Sequence, residues 1–110
     1  MALDEARFQT LANGALDRLM AAVEEALGER AEVDLEGGIL TIALAAGGNY
    51  VINKHGPMRQ VWLSSPVSGA WHFAWDEGAG DWRSTRGAET LAAVLARDLG
   101  KATGAPVARG

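Results

Sequence analysis

No cysteine occurs in the 110 residues, and this absence removes a large block of chemistry. Disulfide staples, thiolate metal sites, cysteine-ligated clusters and a cysteine nucleophile are all excluded, so any metal ion must be held by oxygen or imidazole. Histidine is nearly as scarce. His55 and His72 stand alone, and neither falls in a metal-ligand spacing such as HExxH. Dinucleotide-binding and P-loop glycine patterns are missing, which leaves a nucleotide enzyme without support. Ser64 and Ser65 have no neighbouring base, while Glu24 and Glu25 are adjacent on a helix and diverge, so they cannot flank one substrate as acid and base. No apolar run approaches the ~18 residues that a membrane span needs. The first residues, Met-Ala-Leu-Asp-Glu, contain neither a basic region nor a continuous apolar stretch. These absences lead to the expectation of a cytoplasmic protein that has no membrane partner and is not an enzyme.

What is present is ordinary for a globular chain: 48% hydrophobic and 22% charged residues, in a length that suits one domain with a packed core. The net charge of −4 is unevenly spread. Residues 1–36 hold nine acids against three bases, and residues 37–110 hold five acids against seven bases, so the two parts carry −6 and +2. Phosphate binding needs a basic footprint, which argues against nucleic acid as a partner. A cation or a basic protein surface suits the acidic part better.

From Asp4 to Leu27 the residues Phe8, Leu11, Ala15, Leu19, Val23 and Leu27 recur at three- and four-residue steps, predicting an amphipathic helix that Gly28 stops. Asp17 and Glu24 fall opposite the apolar stripe. The period then changes to two. Val33 and Leu35 alternate with Glu32, Asp34 and Glu36, and Gly37-Gly38 supplies a hairpin turn into a strand over 39–44. Further strands are expected over 50–54, 59–65 and 70–75, with a short one around Trp82. Helical spacing returns from Ala88 to Leu99, where Gly100 offers a stop, and residues 101–110, with Gly104 and Pro106, read as a loosely held tail to a domain over 1–100. The fold class is therefore α+β: a two-layer sandwich with two helices on one face of an antiparallel sheet of about six strands.

Both helices must bury their stripes on the same sheet face, which leaves the other face to solvent. Strand alternation assigns residues to the two sides. Tyr50, Ile52, Val61, Leu63, Trp71, Phe73 and Trp75 should face the helices. Val51, Asn53, Gln60, Trp62, Ser64 and His72 should face outward, making Trp62 an exposed tryptophan among amides. Such a residue buries much area while ordering few torsions, as interaction hot spots do. His55, beside Gly56-Pro57, reads as a solvated turn residue.

The run Asn49-Tyr50-Val51-Ile52-Asn53-Lys54, followed by Gln60-Val61-Trp62-Leu63-Ser64-Ser65-Pro66 and Ser68-Gly69, resembles the signature of the frataxin family. The resemblance extends to the acidic first helix, the Glu36 to Leu40 hairpin, the Trp82 strand and the closing helix. It implies a helix, sheet, helix architecture and a protein that binds iron weakly; a monomer is expected. It also implies docking on the complex of a cysteine desulfurase with an iron–sulfur scaffold protein, where sulfur transfer is modulated and iron delivered or sensed. Asn53, Lys54, Gln60, Trp62 and His72 would form the partner surface. Asp17, Glu24, Glu25, Glu29, Glu32, Asp34 and Glu36 would form an acidic ridge for iron or other divalent cations. Ala26, Leu27, Gly28, Arg30 and Ala31 interrupt that ridge, and His72 stands where mitochondrial members of the family commonly carry arginine. Carboxylates on a convex ridge suit hard cations but rarely converge, so weak binding of several ions is expected. Two other readings compete: a ferroxidase or iron store, and a binding domain unconnected with metals.

Overall fold

In the computed structural model, which describes residues 3–107, two helices flank an uninterrupted antiparallel meander. The first helix, α1, spans Glu5–Leu27 and is followed by a single 3-10 turn, Gly28–Arg30. Six strands come next: β1 (Ala31–Glu36), β2 (Ile39–Leu44), β3 (Asn49–His55), β4 (Gln60–Ser65), β5 (Gly69–Asp76) and β6 (Asp81–Ser84). The second helix, α2, covers Leu91–Thr103. Strand order in the sheet follows sequence order, and each neighbouring pair is antiparallel, so the two-layer α+β sandwich with six strands is the fold adopted.

Helix α1 begins where extended Asp4 turns its carboxylate back to accept from the Arg7 N–H at 2.8 Å, satisfying a donor that the first turn would otherwise leave free. It ends at Gly28, whose φ of +52° is open to glycine at little cost. The predicted stripe of Phe8, Ala15, Leu19, Val23 and Leu27 is buried, widened by Ala12, Leu16 and Ala22, while Leu11 sits half-buried at its margin. Against it lie Leu40, Ile42, Tyr50, Ile52, Val61, Leu63 and Phe73 from the sheet, and α2 adds Leu91, Val94, Leu95 and Leu99. Trp82 ties the layers together, with its ring edge-on to Phe8 at 6.0 Å and to Trp75 at 5.5 Å. Trp71 and Trp75, expected to face inward, pack on the core while remaining partly exposed.

The second helix differs from its predicted bounds. It starts later because Thr90 caps it, accepting from the Ala93 N–H at 3.3 Å, and it runs through Gly100 to close at left-handed Gly104. Gly100 does not stop it, since a glycine inside a helix costs only about 1 kcal/mol, which the flanking buried Leu99 offsets. Nor is the chain after residue 101 loose throughout. Ala105 is buried and Val107 packs against the core, so the folded unit extends past the expected boundary at residue 100. Residues 108–110 of the expected tail lie outside the described residues.

One buried carboxylate fastens α2 to the sheet. Asp98 has no solvent exposure, and it accepts hydrogen bonds from the Ser65 hydroxyl at 2.7 Å and from the Ser68 hydroxyl. The Arg97 Nε donates to its other oxygen at 3.2 Å. The Tyr50 hydroxyl donates to the Asp98 backbone carbonyl at 3.4 Å, and burial, reinforced by the Asp98 charge, pushes that phenol above its usual range. Ser65 Oγ also accepts from the Val67 and Ser68 N–H groups, which fixes the turn between β4 and β5. Asp98→Ala should destabilise the protein by about 2–3 kcal/mol, since it strands the buried Ser65 hydroxyl. Urea unfolding with an unchanged m-value is the measurement, and a loss below about 0.5 kcal/mol would show that the network holds nothing.

Candidate functional site

The outer face of the sheet has no helix over it, and the strand register assembles one row of side chains across it. Glu36 pairs with Ile39, Ile39 with Asn53, Asn53 with Trp62, and Trp62 with His72, so five strands contribute one residue each. Asn53, Gln60, Trp62 and His72 therefore lie together on the side that alternation assigns them.

Trp62 itself is not the freely exposed ring expected from alternation. Its indole is held between two imidazoles, with His55 stacked on one face at 3.8 Å between centroids and 8° between planes, and His72 on the other at 4.2 Å and 13°. Its Nε1 donates to Gln60 Oε1 at 2.8 Å. The tryptophan is thus half-buried by its own neighbours and fixed in one orientation. His55 is correspondingly not a solvated turn residue. It is the last residue of β3, opposite Gln60, and its Nδ1 accepts from the Met58 N–H at 3.3 Å. Extending the alternation two residues beyond Asn53 would have found it, but Gly56-Pro57 made the strand look finished at Lys54. Beside it, Met58 projects from the turn with 57% of its surface exposed, an apolar contact that no periodicity marks.

Lys54, grouped with the patch on the family resemblance, is separated from it. Successive strand residues face opposite ways, and its ammonium donates to Gln9 Oε1 at 2.5 Å and Asn13 Oδ1 at 2.8 Å on α1. Its stem crosses Gly38, where a Cβ would come within 2.5 Å of Lys54 Cε, so the second glycine of the β1–β2 hairpin gives that lysine its path.

Glu32, Asp34 and Glu36 are exposed on one face of β1, an edge strand of the sheet, and Asp17, Glu24, Glu25 and Glu29 are exposed on α1 and the 3-10 turn. Among the described residues, no three of the acids and histidines converge as a metal site would require. Any cation held here is held by a spread of negative charge. On β1 that charge also blunts the open edge against pairing with another strand.

An α+β sandwich with one sheet face left open, and a stacked tryptophan at its centre, defines a protein built to present a surface. The chain belongs to the frataxin family, since the frataxin-like domain model matches residues 1–105. It is 36% identical over 108 residues to the iron-sulfur cluster assembly protein CyaY of Pseudomonas fluorescens, an alignment covering 96% of this chain and 94% of that protein. It is also 36% identical over 110 residues to mitochondrial frataxin of Arabidopsis thaliana, covering 96% of this chain but only 58% of that longer protein. A solved frataxin from Psychromonas ingrahamii superposes with a TM-score of 0.86 at 22% identity, covering 98% of this chain and 99% of that one, a likeness of fold. No described helix is long and apolar enough to cross a membrane.

The position of Lys54 yields a test that separates scaffold from surface. Lys54→Met should lower stability by about 1 kcal/mol through loss of the Gln9 and Asn13 hydrogen bonds, while leaving the outer face intact. Thermal unfolding and the Trp62 indole N–H resonance would report this. A shifted indole resonance with unchanged stability would place Lys54 in the patch after all.

Proposed function

We propose that this protein serves iron–sulfur cluster assembly by docking its outer sheet face on the complex of a cysteine desulfurase with the scaffold protein, where it regulates sulfur transfer. The observation that carries this reading is Trp62, clamped between His55 and His72 on the one sheet face that no helix covers. A pre-oriented indole pays little further entropy on binding, which is the property of an interface anchor. Asn53 and Gln60 flank it with amides, and Met58 and Ile39, 57% and 45% exposed, add apolar area. Support also comes from the CyaY relative, which is named as an iron-sulfur cluster assembly protein.

The acidic set has two uses in this reading. Glu24, Glu25, Glu29, Glu32, Asp34 and Glu36, with Asp17 farther along α1, attract ferrous iron as cargo, and they steer a basic surface of the desulfurase toward the protein. Carboxylate oxygens suit iron and other hard cations, and the lack of three converging acids and histidines among the described residues favours weak, exchangeable binding over storage. Catalysis is not part of the proposal: regulation and iron delivery need only docking and exchange. Iron oxidation rates measured with and without the protein address the ferroxidase reading, which requires a clear acceleration.

Trp62→Ala should weaken binding to the desulfurase–scaffold complex by about 2 kcal/mol or more. Its stability cost should be about 1 kcal/mol, against about 3–5 for Phe73→Ala on the inner face. Wild-type affinity in Trp62→Ala would remove the outer face from the account. Reversing Glu32, Asp34 and Glu36 to lysine should reduce ferrous-iron binding and also the part of docking that weakens with salt. Unchanged titrations of both would reduce the ridge to a solvated edge.

A further inference from the structure

Strand β6 is short and pairs only with residues 73–76 of β5, so the first half of β5, residues 69–72, has no strand on that side. A loop over residues 85–90 covers part of the gap. Its Thr85 N–H donates to the His72 carbonyl at 2.9 Å, and its Glu89 carbonyl accepts from the Ser84 N–H at 2.7 Å. Between the loop and β5 lies a cleft of about 250 Å³. It opens beside the Trp62 stack, because His72 belongs to both.

The cleft is rich in donors. Antiparallel strands alternate the direction of their backbone groups, so the bond from Thr85 to the His72 carbonyl means that the His72 and Ala70 N–H groups also point toward this gap. His72, Thr85 and Arg86, each with a side chain able to donate, are among the residues that line it. Arg86 is exposed and forms no ion pair among the described residues, while its backbone N–H is fixed to Ser84 Oγ at 3.1 Å. The one acid in the lining is Glu89, which folds over Gly87, since a Cβ on that glycine would lie 2.9 Å from Glu89 Oε1.

We propose that this cleft receives a carboxylate side chain of the docked partner protein, with Arg86 as the charged ligand and His72 and Thr85 as its hydrogen-bond donors. The proposal rests on the docking reading above and adds to it the chemistry of one contact. Charge complementarity carries it: Arg86, with no ion pair among the described residues, lines a cleft that the backbone N–H groups of His72 and Ala70 point toward. The same sheet face is acidic along β1 and cationic here, so the partner surface must be basic toward one edge and acidic toward the other. That polarity fixes the direction in which the partner lies across Trp62.

The test uses the purified desulfurase–scaffold complex, with binding measured at low and at high salt. Arg86→Ala should weaken binding about tenfold at low salt, and by much less at high salt, while the melting temperature of the exposed loop variant stays at the wild-type value. Glu89→Gln should strengthen binding about two- to threefold, since it removes the competing charge. In Arg86→Lys, carbodiimide should join the introduced amine to an aspartate or glutamate of the partner, and mass spectrometry would locate the link. Wild-type affinity in Arg86→Ala together with loss of binding in Trp62→Ala would overturn the cleft and leave the docking reading standing. Absence of binding by the wild-type protein would overturn both.

Discussion

A six-stranded sheet has two faces, and this chain supplies helices for only one of them. The apolar stripes of α1 and α2 lie on the same side, over Leu40, Ile42, Tyr50, Ile52, Val61, Leu63 and Phe73. Burial of that layer fixes register, because a slip of one residue would turn every inner side chain outward. The same constraint places Trp62 on the open side, since Val61 and Leu63 on either side of it are locked into the core. The proposed docking surface is thus a consequence of the packing beneath it.

The open face is organised along the rows of the sheet. Register brings Glu36, Ile39, Asn53, Trp62 and His72 into line from five different strands, and stacking by His55 and His72 turns a residue of several rotamers into a fixed plate. Asp98 contributes from below. By anchoring Ser65 and Ser68, it holds the turn that sets where β5, and with it His72, enters the sheet. The charges divide along the same direction, with carboxylates on β1 and, beyond β5, Arg86, which forms no ion pair among the described residues. In the proposed docking, charge sets the partner's orientation and the aromatic centre its grip.

Much of this was legible in the sequence because the relevant signals are periodic. The stripe of α1, the alternation around Glu32 to Glu36 and the glycine turns gave both helices and all six strands in order, though not every boundary, and parity put Asn53, Gln60, Trp62 and His72 on one side. The residues that escaped are those whose roles depend on contacts between strands. His55 stacks diagonally across β3 and β4, Lys54 reaches back to α1 over Gly38, and Arg86 lines the cleft beside β5 from a loop with no periodicity. The end of α2 escaped for another reason: Gly100 looks like a stop, but the helix ends where Gly104 can adopt a left-handed conformation. Acidic residues were easy to count, yet a count does not tell whether side chains converge.

The central claim is that the open face acts on the assembly machinery through its stacked tryptophan. A sulfide-release assay of the cysteine desulfurase with its scaffold protein, titrated with this protein with and without ferrous iron, tests it most directly. The account predicts a saturable change in rate that depends on Trp62 and is altered by iron. A rate that stays flat across the titration, or one that responds equally to wild type and Trp62→Ala, would contradict it.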